Sequence, residues 1–180
     1  DSGLSLRIRQ EIPRLLRMIG SPAAADALLK SNPDDDPFLQ HRVAMALSRL
    51  VHQHPEVMTE LDQIWIHSAI ERQIERLFVC RQDALYLAPD GRFALLHRAV
   101  LSRYGQVLDI CLRLFSLQGD RELLNDVSRV LVDGSRAVRG DALELLDVAL
   151  SGHPLKPALF HELETIDETM LPDRAEAVGK

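Results

Sequence analysis

Three histidines stand close enough in the sequence to suggest a metal site: His41, His52 and His54. A metal needs convergent ligands. Helical residues two apart point about 200° away from each other, so His52 and His54 cannot share an ion. No Cys-x-x-Cys or His-Glu-x-x-His spacing occurs in the chain. The expectation is solvated histidines at helix ends, with no metal and no cofactor. Glu71 and Glu75 stand one helical turn apart, as do Arg72 and Arg76. Paired carboxylates can carry protons for a reaction. Interleaved with bases along a long helix, these read instead as a solvated face. Ser, His and Asp are scattered, with no Gly-x-Ser-x-Gly elbow and no glycine-rich phosphate loop. With no convergent acid, base, nucleophile or metal set, no catalytic residue is expected.

Cys80 and Cys111 are the two thiols. In a helical hairpin of residues 59–88 and 92–118 turning near residue 90, Cys80 lies level with residue 100. Cys111 then lies about 11 residues further along, or ~16 Å. A disulfide needs Cα atoms within ~7 Å, so both read as reduced core residues in a cytosolic setting. Trp65, among Ile64, Ile66 and Ile70, reads as core on a wide apolar stripe. Arg7, Arg14 and Arg17 fall on one side of the first helix, opposite Ile8, Ile12, Leu15 and Leu16. The plain reading is a solvated outer face. The functional one is a contact with an acidic surface or lipid headgroups.

The elements that would position these groups are helical. Hydrophobic residues make up 46% of the 180-residue chain and charged residues 27%, a globular composition for one domain. Aromatics are only 4%, so helix formers dominate over strand formers. No segment alternates with period 2 long enough to be a strand. No apolar run approaches the ~18 residues of a membrane span, and no signal peptide opens the chain. Lacking an initiator Met, Asp1 looks like a cut from a longer protein. The net charge of −6 is uneven. Residues 1–58 and 59–118 each carry seven acids and seven bases, whereas 119–180 carry thirteen acids and seven bases. An acidic chain without a basic patch is a poor partner for nucleic acid, whose phosphates must be neutralised.

Three segments share one template: Ile8-Arg9-x-x-Ile12-Pro13-x-Leu15-Leu16-x-x-Ile19, Leu39-Gln40-x-x-Val43-Ala44-x-Ala46-Leu47-x-x-Leu50 and Val138-Arg139-x-x-Ala142-Leu143-x-Leu145-Leu146-x-x-Ala149. Their apolar positions form one helical face, broad enough to be buried on two sides. Asp34 and Asp133 stand five residues before the second and third copies. Between them lie two long helices, 59–88 and 92–118, with Gly105 as a weak point. Partner helices are expected over 22–31, 120–132 and roughly 155–169, and a frayed tail over 172–180. Eight helices and no sheet are therefore expected. The hairpin's tip would carry Leu85, Tyr86, Leu87, Ala88, Pro89 and Phe93, an apolar group at a turn where polar residues are usual.

An apolar residue followed by Arg, five residues after an Asp and opening an apolar helix, resembles the HEAT-like repeat, in the variant named after phycobilisome lyases. Residues 133–150 match it best, and the Pro13 kink suits it. Over nearly the whole chain the order is a Pro-kinked repeat, an Asp-Pro repeat, a long hairpin, then Leu112-Arg113-Leu114-Phe115-Ser116-Leu117 and Ala142-Leu143-Glu144-Leu145-Leu146-Asp147. This resembles the soluble domain attached to bacterial major facilitator transporters similar to ATP/ADP carriers. The resemblance implies one α-solenoid domain over 1–171, built of antiparallel helix pairs with a long central hairpin. It also implies Arg–Asp pairing between neighbouring repeats, with Arg9, Asp34, Asp133 and Arg139 at those positions; Gln40 departs from the pattern. The implied function is a non-enzymatic, cytosolic scaffold or regulatory module. Its partner would be a protein, including the membrane-embedded part of the same chain, with a membrane surface nearby. The competing expectation is a HEAT-like enzyme, a bilin lyase or a DNA glycosylase. The latter would use Trp and Asp beside a basic groove, which the charge balance disfavours. A standalone scaffold is the remaining alternative.

Overall fold

The computed structural model describes residues 5–31, 36–59, 61, 63–87, 92–133 and 136–165. Among these there are eight α-helices, one 3-10 turn and no strand. The helices are α1 (Leu6–Ile19), α2 (Pro22–Lys30), α3 (Pro37–Gln53), α4 (Gln63–Leu87), α5 (Ala94–Phe115), α6 (Arg121–Asp133), α7 (Arg136–Ala149) and α8 (Lys156–Glu164). The three template segments start α1, α3 and α7. The segment expected as one helix over 59–88 divides. Pro55–Thr59 is a 3-10 turn, closed by the Val57 N–H on the His54 carbonyl at 3.0 Å, and α4 begins only at Gln63. The last helix ends at Glu164, and residues 172–180 lie outside those described.

Local chemistry sets the ends. Ser21 accepts the Ala24 N–H at 3.2 Å and Pro22 occupies the first turn of α2. Asp36 accepts the Leu39 N–H at 3.0 Å at the start of α3, and Asp120 the Leu123 N–H at 3.1 Å at the start of α6. Gly20 closes α1 with φ +66°, its N–H bonded to the Leu16 carbonyl.

The chain folds as two compact units, residues 1–69 and 70–180, with the boundary inside α4. In the first, α1 packs mainly on α3, and α2 packs on both. Arg42 of α3 donates to the Gln10 carbonyl at 3.0 Å and meets Glu11 at 3.3 Å, while Arg17 donates to Gln53 at 3.4 Å. Early meets early and late meets late, so α1 and α3 run in the same direction and α2 carries the chain back between them. Buried side chains here are Ala24, Ala25, Leu28 and Leu29 of α2 and Ala44, Ala46, Leu47 and Leu50 of α3.

In the second unit α6 packs on both α5 and α7. The Ser128 hydroxyl donates to Asp109 at 2.7 Å, and Arg113 donates to Asp109 at 2.7 Å and Asn125 at 3.4 Å. Position 109 faces 128 and 113 faces 125, which makes α5 and α6 antiparallel. Cys111, Leu112, Phe115, Leu124, Leu146 and Leu159 are buried, each from a helix of this unit. The His153 ring meets Phe115 edge-on at 4.7 Å and bonds Gln118 at 2.9 Å, which fixes the turn before α8 against the end of α5.

Candidate functional site

Among the described residues of the second unit, the two most exposed large apolar side chains, Tyr86 and Leu95, stand where α4 ends and α5 begins. The buried stripe of α4 runs Ile70, Ile74, Leu77, Cys80, Arg81 and Ala84, with helical spacing. Leu85 and Tyr86 fall off that stripe, and Tyr86 is 90% exposed. Leu87 is half-buried, while Ala88 and Pro89 lie outside the described residues. Phe93 and, beyond it, Leu95 at 81% and Leu96 at 51% are exposed. Leu95 and Leu96 look from sequence like the start of α5's core stripe. Burial on α5 begins only at Tyr104, two and a half turns later. In the first half of α5, Leu95, Leu96 and Ala99 are thus exposed, while Val100 and Leu101 are half-buried.

The other sequence-derived candidates are dispersed. Arg7, Arg9 and Arg14 are exposed on α1. Arg14 meets Glu11 at 3.6 Å. Arg17 does not share their solvated side: it is half-buried and bonded to Gln53. The side of α1 that meets α3 carries Gln10, Pro13 and Arg17, so the apolar ridge Ile8, Ile12, Leu15 and Ile19 is itself exposed. For the repeat ladder, Arg139 is half-buried; Asp34 and the Asp133 side chain lie outside the described residues. Trp65, expected in the core, is 38% exposed, because the buried stripe of α4 passes through Ile66 and Ile70 instead.

No group of three or more His, Cys, Asp or Glu is placed to hold a metal among the described residues. His52 is exposed, and His54 contacts Glu56 at 3.2 Å. Glu71 and Glu75 are exposed. The two thiols are unlinked and buried, and burial pushes both up from the ordinary thiol range. Sequence reasoning missed one buried ion pair. Arg81 Nε donates to Glu162 Oε2 at 2.9 Å, and the two side chains are 9% and 5% exposed. The available signal was a charge on the α4 stripe, at the helical spacing of Leu77 and Ala84. Nearby Tyr104 is buried, and that burial, with the Glu162 charge second, drives its pKa well up. No helix among the described residues is long and apolar enough to cross a membrane.

In comparisons with known proteins, no family model, no curated protein and no solved structure matches the chain.

Proposed function

We propose that the chain is a non-enzymatic protein-interaction module, a HEAT-like α-solenoid that binds its partner through the apolar tip formed by Leu85, Tyr86, Leu87 and Phe93, extended by Leu95 and Leu96. The observation that carries this reading is the exposure of Tyr86, a large aromatic side chain left 90% in solvent, with Leu85 next to it in the sequence also exposed. Clusters of that kind mark interfaces, and tyrosine is enriched among interface anchors. The parallel α1 and α3, with α2 returning between them, support the repeat reading, since stacked helix pairs repeat in that way. On the sequence resemblance, the partner is the cytosolic face of a membrane transporter similar to ATP/ADP carriers, and the module regulates it. An enzyme of the same repeat class would need a convergent polar cleft, and none of the polar clusters described above forms one.

A photo-crosslinking residue placed at Tyr86 tests this in cells. The expected result is an adduct with an integral membrane protein, absent when the same residue replaces the exposed Glu75. Equal adducts from both positions would contradict a contact tip.

A further inference from the structure

The first and third template helices, α1 and α7, expose positions that the second one covers. On α3 the template's first, fifth, eighth and twelfth positions are Leu39, Val43, Ala46 and Leu50, all half-buried or buried. The same positions on α1 are Ile8, Ile12, Leu15 and Ile19, all exposed, with Met18 beside them at 66%. On α7 the first and eighth positions, Val138 and Leu145, are exposed, as is Val148 three residues on, whereas the fifth, Ala142, is buried and the twelfth, Ala149, half-buried. Both helices are 14 residues long. Among the described residues, α1 thus leaves its whole template ridge exposed, and α7 an edge of its own formed by Val138, Leu145 and Val148.

The two faces differ in charge. Exposed on α1 beside its ridge are Arg7, Arg9 and Arg14, with Glu11 held by Arg14 and Arg42. The exposed charged residues of α7, among the described side chains, are Asp141, Glu144 and Asp147, all acidic, while Arg139 is half-buried. Lys156 meets Asp147 at 2.8 Å, which leaves Asp141 and Glu144 as the main source of negative potential. A basic apolar ridge and an acidic apolar ridge of equal length complement each other. Two copies of either face would repel.

We propose that α1 of one molecule docks on α7 of a second copy of this chain, with Arg7, Arg9 and Arg14 against Asp141 and Glu144 around an apolar seam. The contact is heterologous, because one copy gives α1 and the next gives α7. Each docked pair keeps one free face of each kind, so the product grows into chains or a ring rather than stopping at a dimer. This surface is separate from the tip of α4 and α5, and its test is independent of that reading.

Sedimentation velocity of the full chain from micromolar to submillimolar concentration reads the association. The expected result is a weight-average mass rising past twice 20.2 kDa, with the rise weakened by salt. Reversing one face with R7E, R9E and R14E gives molecules acidic on both faces. Reversing the other with D141K and E144K gives molecules basic on both faces. Each variant alone should stay monomeric, and an equimolar mixture should associate again, because every α1–α7 pairing between unlike variants is then complementary. All five side chains are exposed, so melting curves should match the parent. Should either variant fail to fold, the single exposed substitution L15S and the concentration series of the parent still decide. A parent chain that stays at 20.2 kDa throughout overturns the proposal, as do reversed variants that associate like the parent. So does a monomer whose α1 binds phosphatidylserine vesicles in a manner lost with L15S, which would assign the basic ridge to a membrane surface.

Discussion

Arg81 and Glu162 are 81 positions apart in sequence and 2.9 Å apart in space, joined by a hydrogen-bonded ion pair that is almost fully buried. The pair ties α8 to α4. Phe78 adds to it, with the Arg81 guanidinium 5.3 Å from its ring centre. A buried charge without its partner is costly, whereas an apolar pair of similar volume avoids the desolvation of both ions. Glu162→Ala or Arg81→Ala should therefore destabilise the second unit by about 3–5 kcal/mol in urea unfolding. The double change Arg81→Met with Glu162→Leu should lie close to the parent or above it. Single changes costing under ~1 kcal/mol would mean that water reaches the pair.

The glycines at positions 20 and 140 should respond with opposite signs. Gly20 has φ +66°, and a Cβ there would approach His54 Nε2 to 2.8 Å. Gly20→Ala combines left-handed strain with that clash and should cost about 1–2 kcal/mol or more. Gly140 lies inside α7, and a Cβ there would meet nothing within 4 Å. Gly140→Ala should stabilise by ~0.4–1 kcal/mol through the unfolded chain's lost freedom and a better helix propensity. Thermal melts of the two single variants check both signs.

Burial raises Cys80 and Cys111 above their ordinary value of 9.0, the latter with desolvation as its sole cause. Both thiols should be silent toward a thiol reagent at mildly alkaline pH in the folded protein and react fully in denaturant. The linkage follows from the same shift. The unfolded thiols ionise near their ordinary value while the folded ones keep their protons. The contribution is fully present below pH 9.0 and is lost as pH rises above it. Cys111→Ala should flatten that alkaline fall in stability, whatever its effect at neutral pH.

Leu47 and Leu146 hold the same template position and are 1% and 0% exposed. Leu→Ala at each should cost ~2–5 kcal/mol. Leu16, their counterpart on α1, is half-buried, so Leu16→Ala should cost clearly less than either. Equal losses at all three would mean that α1 is covered in solution.

The helices were legible because their signals are local. Pro22 and Asp120 are first-turn and capping chemistry, and the template spacing places α1, α3 and α7 to within a residue or so. What periodicity cannot tell is which apolar face has a neighbour. Ile8, Ile12 and Leu15 have the pattern of a core face, yet α1 turns Pro13 and Arg17 toward α3. Leu95 and Leu96 mislead in the same way on α5. Trp65 misleads by a single residue of register, about 100° of helix rotation from Ile66. The Asp109–Ser128 and Arg81–Glu162 contacts depend on which helices meet, and no spacing within either helix encodes them. The exposed apolar residues were readable in part: Tyr86 and Phe93 stand out beside Pro89-Asp90-Gly91 in the sequence, whereas the exposed Leu95 and Leu96 of α5 do not.

If the proposed function holds, the exposed apolar residues where α4 ends and α5 begins form a contact surface and add nothing to the protein's stability. Substituting Tyr86 and Phe93 together with Ser, then measuring the melting temperature beside binding to the membrane partner caught from Tyr86, tests it most directly. Binding should be lost while the melting temperature stays within a degree or so of the parent, as for exposed side chains generally. A melting temperature lower by many degrees, with binding retained by the folded fraction, would show these side chains to be part of the core and not a contact surface.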